Sequence, residues 1–289
     1  MKILLIAGHG AGDPGATSKI NGVTHKEAEY TREVVAALRP LLKAYGVDVD
    51  TYPVNRNAFT DITSGSYKFA VDVSKYDYAL EIHFNSCVHD LYGNGHTTGT
   101  EIYTYVSEKV TTVEQKILNK ICALGFTKRG VKRENFAVIR NIKTRGTSCA
   151  LIEICFIDDA DDIALYMKKC DKICQAIADG VAEGFGLKKV KAATTTAKTS
   201  TTAAKATKTA TAKTWAIKST AKNGLNIRKG PGTSYPITGV ITDDKKLLKK
   251  NSKYYYPKSA KYTITEKKNG WGKLKSGTGW VYLAYTKEV

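Results

Sequence analysis

The first fifteen residues constrain the fold of this chain more than any other stretch of its sequence. Residues Ile3 to Ala7 are all apolar, and a short run of this kind predicts a buried strand. The run ends in Gly8-His9-Gly10, so a histidine lies where the strand turns into a glycine-rich loop. Ligands of open α/β sheets bind at the carboxyl ends of the strands, and glycines leave room there for close approach. This position makes His9 a candidate functional residue, although a single histidine in a turn is more often only solvated.

Two later strands carry polar groups that favour a functional role for His9 over a merely solvated histidine. The segment 78–86 reads as a strand that ends at His83, and the segment 150–158 is an apolar strand that contains Glu153. Glu27 lies in sequence between the first strand and these two segments, and it begins a long amphipathic helix. Two histidines and a carboxylate form a common catalytic zinc set that leaves one coordination position open for water. A further glutamate is what a zinc hydrolase needs as its general base.

Four stretches, in this order along the chain, resemble the zinc-dependent N-acetylmuramoyl-L-alanine amidases of phage endolysins and bacterial autolysins. They are Ala7-Gly8-His9-Gly10…Asp13-Pro14-Gly15-Ala16, Glu27 at the head of its helix, Glu81-Ile82-His83-Phe84-Asn85, and Leu151-Ile152-Glu153…Phe156-Ile157. The resemblance covers residues 1 to about 187. The sequence departs from the family pattern at Glu81, where serine is frequent, and at Cys155, where glycine is usual.

The resemblance implies a site and a reaction. His9, Glu27 and His83 would bind one Zn²⁺, and Glu153 would be the catalytic carboxylate. The expected activity is that of a peptidoglycan hydrolase, in which zinc-activated water cleaves the amide bond between N-acetylmuramic acid and the L-alanine of the stem peptide. Asn85 and Arg140 are candidates for substrate binding.

Some alternatives remain open at this point. His25 and Glu29 flank Glu27, and chemistry alone does not exclude them as ligands, although the helical register behind Glu27 matches that of the family. The enzyme could instead be a zinc peptidase that cuts the stem peptide, but neither HExxH nor a histidine–x–x–glutamate pair occurs around His9 or His83. A host autolysin and a non-catalytic wall-binding protein are further alternatives; the latter should have lost one of the four key residues.

The order of elements in residues 1–187 predicts an α/β fold. Strands alternate with helices, which is typical of a mostly parallel twisted sheet flanked by helices. We predict helices from Glu27 to about Tyr45, with Pro40 as a kink or early end, over 66–75, from Thr112 to Leu124, and from an Asp158 or Asp159 cap to about Phe185. We also predict a strand over Ala137–Arg140 and a solvated basic loop over 128–133.

The two parts of the chain, residues 1–187 and 188–289, differ strongly in net charge. The formal net charge is +18, yet residues 1–187 contain 22 Lys+Arg against 23 Asp+Glu. The excess of positive charge therefore lies in residues 188–289, which contain 23 basic and 4 acidic residues. A basic tail is compatible with nucleic acid, but no helix-turn-helix, zinc finger or RNP motif accompanies it. We therefore expect anionic cell-wall polymers, and no nucleic acid, as its partners.

The basic half divides into a linker and a second domain. Residues 188–213 are rich in Thr, Ala and Lys without a hydrophobic period, which predicts a flexible linker. Within 214–289, the stretch from Gly224 to Ile237 resembles the opening motif of bacterial SH3-like domains, which implies a separate small all-β SH3-like barrel that binds the cell wall. The Lys/Tyr-rich segment 245–268 is longer than this resemblance leads us to expect and suggests an inserted hairpin or binding loop.

The sequence also carries an expectation about location. No stretch is long and apolar enough to span a membrane, and the first residues do not resemble a secretory signal. We therefore expect the protein to accumulate in the cytoplasm of a host bacterium before release and to act at the wall. This expectation favours a phage or prophage endolysin.

Overall fold

The structure is a computed structural model that describes residues 1–190, 214–221, 224–232, 235, 237–242, 255–258, 260–268 and 270–289. The chain divides into two units, Met1–Lys189 and Val190–Val289. Most of the predicted linker 188–213 lies outside the described residues, and so does much of the Lys/Tyr-rich segment. The predicted domain limits therefore stay predictions.

The first unit consists of eight strands and five helices. The strands are β1 (Lys2–Ala7), β2 (Thr17–Ile20), β3 (Val23–Lys26), β4 (Asp48–Thr51), β5 (Tyr78–Asn85), β6 (Thr100–Tyr105), β7 (Lys128–Glu134) and β8 (Ser148–Phe156). The helices are α1 (Glu27–Lys43), α2 (Ala58–Thr63), α3 (Thr112–Cys122), α4 (Ala137–Lys143) and α5 (Ala160–Gly184).

Six of these strands form one sheet in the order β4-β1-β5-β8-β6-β7. All neighbouring pairs are parallel except β6 with β8, which is antiparallel. The prediction of a mostly parallel sheet flanked by helices is therefore confirmed. The carboxyl ends of β1, β5 and β8 meet at one edge of the sheet, which we call the active edge.

Both faces of this sheet are covered, and this explains why its central strands are apolar throughout. Along β1, Ile3 and Leu5 are buried in a cluster with residues of α1, α3 and α5. Leu4 and Ile6 are buried in a second cluster with residues of α2 and α4. A strand that alternates between two cores needs an apolar residue at every position.

A short hairpin that we did not predict, β2–β3, precedes α1. Its turn is Asn21-Gly22, and both residues have positive φ (49° and 77°), as a two-residue hairpin turn requires. The Asn-Gly pair is a strong hairpin signal, but its flanking strands have only four residues each. The hairpin delivers the chain directly to Glu27, the first residue of α1.

Three local predictions were wrong. Residues 66–75 contain only a three-residue 3-10 turn, Val73–Lys75, rather than a helix. The predicted basic loop 128–133 lies in β7, an edge strand, where charged side chains are common because they discourage pairing with other chains. The predicted strand Ala137–Arg140 is the start of α4, because a short apolar run does not distinguish a strand from a helix.

The structure decides two helix limits for which the sequence left alternatives, the end of α1 and the beginning of α5. Helix α1 continues through Pro40 and ends at Lys43, two residues before the predicted end. Asp159, rather than Asp158, caps α5: its side chain accepts hydrogen bonds from the backbone N–H groups of Asp161 and Asp162. Within the described part of the chain, no helix is long and apolar enough to cross a membrane.

The second unit is a mostly antiparallel sheet. Its strands are β9 (Trp215–Ser219), β10 (Leu225–Arg228), β11 (Ile237–Ile241), β12 (Tyr255–Tyr256), β13 (Tyr262–Lys268), β14 (Trp271–Leu274), β15 (Trp280–Tyr282) and β16 (Thr286–Glu288). Trp271 and Tyr282 are buried with ring centroids 5.3 Å apart, so these two aromatics belong to its core. The SH3-like barrel remains a prediction.

Close packing of α5 on α3 depends on Gly180. A Cβ at this position would lie 2.6 Å from the Cα of Ile117. Alanine favours a helix over glycine by about 1 kcal/mol, yet we expect Gly180→Ala to destabilise the protein by about 1–3 kcal/mol through overpacking. Urea unfolding would measure the change, with the exposed Lys172→Ala on the same helix as control. A Gly180→Ala variant as stable as the control would contradict this account.

Candidate active site

The loop after β1 has an unusual backbone. His9, Gly10, Ala11 and Gly12 all have positive φ, at 62°, 95°, 52° and 102°. A non-glycine residue in this region is strained, and such strain persists only where the surroundings enforce it. The loop therefore holds the His9 backbone in a conformation that it would not adopt by itself.

Helix α1 enforces this conformation. The buried guanidinium of Arg32 donates hydrogen bonds to the backbone oxygens of Gly8 (3.2 Å) and His9 (2.9 Å). The hydroxyl of Thr31 donates to the same Gly8 oxygen at 2.9 Å. The close approach also explains Gly10, since a Cβ there would lie 1.6 Å from Arg32 Nη2. Sequence reasoning did not find Arg32, because an arginine inside a helix is usually exposed.

Glu27 lies between the two predicted histidine ligands. Its buried carboxylate has Oε2 at 3.0 Å from His9 Nε2 and Oε1 at 2.8 Å from His83 Nδ1. The same oxygens accept backbone hydrogen bonds from Ala16 (2.9 Å) and Phe84 (3.0 Å). Ligand atoms of His9, Glu27 and His83 all lie within 4.8 Å of one another. The structure thus brings together the three residues predicted to bind the metal.

The two neighbours that chemistry left open lie elsewhere. His25 is buried, and its Nδ1 is 2.5 Å from the hydroxyl of Tyr30. Glu29 is half-exposed, with its carboxylate 3.7 Å from Lys26 Nζ. Neither belongs to the His9–Glu27–His83 cluster. Their positions favour Glu27 as the carboxylate ligand.

The charges in this cluster depend on one another. Burial alone would raise the pKa of Glu27, but the two histidines hold it well below its usual value. Burial disfavours the charged form of His83, yet Glu27 and Glu81 raise its pKa well above the ordinary value. The metal-free cluster therefore attracts protons, and a bound cation would replace their positive charge.

Glycines give the histidines room to approach the carboxylate. A Cβ on Gly15 would lie 2.7 Å from the His9 ring and 2.8 Å from Glu27 Oε2. A Cβ on Gly8 would lie 2.4 Å from the His83 ring. Two imidazoles and one carboxylate, converging in this way, are a suitable donor set for Zn²⁺. The residues present therefore fit the metal.

Glu153 lies on β8 directly opposite His83 in the parallel β5–β8 register. Its Oε2 is buried and has no hydrogen-bond partner among the described residues. Burial raises the pKa of Glu153 to about 8, although the nearby His83 opposes the shift. A carboxyl group of this kind can exchange a proton near neutral pH.

A cavity of about 350 Å³ joins these groups. His9, His83 and Glu153 line it together, and its size falls within the range of small-molecule sites. Much of the remaining wall is apolar, formed by Ala58, Phe59, Phe136, Val138 and Leu151. The two candidate histidine ligands and the candidate base thus face one cavity at the active edge.

Asp13 and Asn57 form part of the same wall, and sequence reasoning assigned them no role. Asp13 Oδ2 is 2.8 Å from His9 Nδ1, and it accepts a hydrogen bond from Asn57 Nδ2 at 3.1 Å. Asp13 is thus placed to orient the His9 ring. It follows His9 by four residues in the opening motif, which was an available signal.

The two predicted substrate-binding residues do not line this cavity. The side-chain amide of Asn85 donates to Glu101 Oε1 at 2.6 Å, and its oxygen accepts from the backbone of Ser86 at 2.8 Å. Arg140 lies on α4 and is exposed. Their role in substrate binding stays a prediction without structural support.

Comparison with known proteins identifies the family. Residues 3–183 match the family described as N-acetylmuramoyl-L-alanine amidase. The chain belongs to that family. Membership supports peptidoglycan amidase activity, and enzymes of this family are generally zinc-dependent.

One sequence relative agrees with this assignment, and two solved structures were compared for the fold. The chain is 32% identical over 196 residues to the sporulation-specific N-acetylmuramoyl-L-alanine amidase of Bacillus subtilis (strain 168), covering 65% of this chain and 70% of that protein. The structure of the CwlD amidase from Clostridioides difficile in complex with the GerS lipoprotein has a TM-score of 0.50 at 19% identity, covering 64% of this chain and 98% of that chain. Cwp6 from Clostridium difficile has a TM-score of 0.48 at 24% identity, covering 66% of this chain but only 29% of Cwp6.

Two glycines of one loop provide a matched test of whether the His9–Glu27–His83 cluster requires a residue without a Cβ beside it. Gly15 and Gly12 both have positive φ (67° and 102°), but only at Gly15 would a Cβ touch His9 and Glu27. We expect Gly12→Ala to cost only backbone strain, about 1–2 kcal/mol, and to retain zinc and activity. Gly15→Ala should lose both. Equal zinc content, by atomic absorption, and equal hydrolysis in the two variants would contradict the proposed crowding.

Proposed function

We propose that this protein hydrolyses the amide bond between N-acetylmuramic acid and L-alanine, with one Zn²⁺ held by His9, Glu27 and His83. The observation that carries the proposal is the placement of the Glu27 carboxylate between the imidazoles of His9 and His83, which line one cavity together with Glu153. Family membership supports the amidase reaction, and the donor set supports zinc. When bound, Zn²⁺ supplies Lewis-acid chemistry that acidifies the attacking water and polarises the scissile carbonyl.

Glu153 moves the proton in this proposal. Its carboxylate takes a proton from the attacking water and passes it to the departing alanine nitrogen. The raised pKa that burial produces makes the protonated form accessible for the second of these steps. Apolar side chains such as Phe136, Val138 and Leu151 line the same cavity as Glu153. They lower the local dielectric, which strengthens the interaction of Glu153 with the reacting atoms.

A stem-peptide zinc peptidase is the main alternative reaction. Both reactions release soluble fragments from purified walls, but only the amidase frees the amino group of L-alanine while leaving the peptide intact. Mass spectrometry of the fragments, after labelling of new amino termini, distinguishes them. Termini other than alanine would favour the peptidase, and the release of no fragments would favour a non-catalytic wall-binding protein.

Replacing Glu153 and Glu27 separates the base from a ligand. Glu153→Gln keeps the size of the side chain but removes the proton acceptor, so we expect near-normal zinc content and a loss of turnover on the order of 10²–10⁴-fold. Glu27→Gln should instead lose zinc, because it removes the anionic ligand. Zinc content and muropeptide hydrolysis are measured on the same preparations. If Glu153→Gln lost its zinc and Glu27→Gln kept it, the two roles would have to be exchanged.

We further propose that the second domain binds anionic wall polymers. Residues 214–289 contain 16 basic and 4 acidic residues, whereas residues 1–187 are nearly neutral. A densely anionic polymer attracts such a domain, and the linker would then raise the local concentration of the catalytic domain at its substrate.

We also propose that the protein is a phage or prophage endolysin that collects in the host cytoplasm before release. The pairing of an amidase domain with a strongly basic second domain supports a lytic role, and a host autolysin is the alternative. Fractionation of producing cells before and after lysis tests the proposal. Accumulation in the cytoplasm until lysis would favour the endolysin, and a steady presence at the wall of growing cells would favour the autolysin.

Wall binding by the full chain should weaken with salt. The Debye length falls from about 10 Å at 0.1 M to about 3 Å at 1 M ionic strength, so attraction between exposed charges is screened. We expect less protein to sediment with purified walls at 1 M NaCl, and less at either salt concentration once the anionic polymers are stripped from the walls. A chain ending at Leu187 should bind poorly throughout. Binding that resists both salt and stripping would indicate an uncharged wall ligand.

A further inference from the structure

Glu81 is a buried carboxylate that the proposed reaction does not use. It lies on β5, is 4% exposed, and lines the cavity that contains His83 and Glu153. Its Oε1 is 3.3 Å from His83 Nε2, while its Oε2 makes no hydrogen bond among the described residues. A carboxylate in an apolar interior needs a nearby positive charge or hydrogen-bond donors. For Glu81, the imidazole of His83 is the group placed to supply them.

The two nitrogens of His83 face different carboxylates. Nδ1 is 2.8 Å from Glu27 Oε1, on the side where the candidate ligands converge, and Nε2 faces Glu81. A neutral imidazole that gives one nitrogen to a metal carries its proton on the other. Nδ1 is therefore available to a metal only when the proton is on Nε2. A carboxylate beside Nε2 favours that tautomer.

His9 has the complementary arrangement. Its Nε2 faces Glu27 at 3.0 Å, and its Nδ1 is 2.8 Å from Asp13 Oδ2. The two carboxylates differ in their surroundings: the side chain of Asp13 is 45% exposed and has other hydrogen-bond donors, whereas that of Glu81 is 5% exposed. Because a buried charge is screened less than an exposed one, water screens the interaction of Glu81 with His83 less than that of Asp13 with His9, although the distance is longer (3.3 Å against 2.8 Å).

The strand itself fixes this geometry. Glu81 and His83 are two residues apart on β5, so their side chains leave the same face of the sheet. β5 is an interior strand that pairs with β1 and β8, which leaves its backbone little freedom to shift. The carboxylate is therefore held beside the ring by secondary structure rather than by a loop.

We propose that Glu81 is a positioning residue that holds the His83 ring with its proton on Nε2, so that Nδ1 faces the metal. The proposal rests on the zinc site of the proposed function, since it concerns how one ligand of that site is oriented. It assigns to Glu81 an effect on metal affinity that is separate from any effect on the reaction.

The test compares zinc affinity in three variants by competition with a chromophoric chelator. Loss of a group that orients a ligand typically weakens metal binding about 10–100-fold, and we expect this for Glu81→Leu. Glu81→Gln keeps an oxygen that can accept the proton of Nε2 but loses the charge, so it should retain part of the affinity. The control is Glu114→Gln: Glu114 is also buried, but its carboxylate accepts a hydrogen bond from Tyr78 at 2.6 Å and lies outside the cluster and its cavity. Its zinc affinity should equal that of the wild type.

A second measurement does not depend on whether the variants fold. Long-range ¹H–¹⁵N correlation spectra of the zinc-loaded wild type report which nitrogen of each histidine carries the proton. We expect the proton on Nε2 of His83 and on Nδ1 of His9. A proton on Nδ1 of His83 would overturn the proposal.

The outcomes separate this proposal from the one on which it rests. Wild-type protein that binds no stoichiometric zinc would overturn the metal site and the role of Glu81 together. Zinc-binding wild type with a folded Glu81→Leu variant of equal affinity would overturn only the role of Glu81. Weakened affinity in Glu81→Leu, partial recovery in Glu81→Gln and no change in the control would support it.

Discussion

The rest of the candidate site depends on the contacts of the Glu27 carboxylate. It belongs to the first turn of α1, where the positive end of the helix dipole favours a negative charge. Its two oxygens connect this helix to the β1 loop through Ala16 and to β5 through Phe84. The same oxygens face both histidines. One buried charge therefore fixes the distances among three elements that are far apart in sequence, and its removal would loosen all of them.

This arrangement of Glu27 and the two histidines requires a strained backbone in the β1 loop and free space beside the rings. The β1 loop keeps a non-glycine residue, His9, in the left-handed region, and Arg32 compensates by binding the carbonyl groups that the loop exposes. Gly8 and Gly15 lack the Cβ atoms that would separate the rings from the carboxylate. The site is therefore prepared by backbone geometry before any ligand binds, so the cost of ordering it belongs to folding rather than to binding.

The sequence predicted those features that depend on neighbouring residues. His9, His83 and Glu153 were found because each interrupts or ends an apolar run, and parallel strands place such ends together. Arg32 was missed because the two loop carbonyls that it binds, those of Gly8 and His9, lie more than twenty residues away in sequence, and no local pattern reports such a contact. The sequence predicts a loop at 128–133 because its charged residues show no apolar face, and an edge strand does not need an apolar face on both sides.

The antiparallel orientation of β6 bears on how such an enzyme could diverge. Because β6 and its parallel neighbour β7 run against β8, they begin at the active edge, and Glu101 near the start of β6 lies opposite Glu153. The connection from β5 to β6, residues 86–99, therefore both begins and ends at this edge, where the connection that leaves β1 also begins. Insertions or exchanges in that connection could reshape the surroundings of the site without altering the strands that carry His9, His83 and Glu153. The fold thus separates the chemical centre from a border that can vary, and an engineer seeking new wall specificity would begin with residues 86–99.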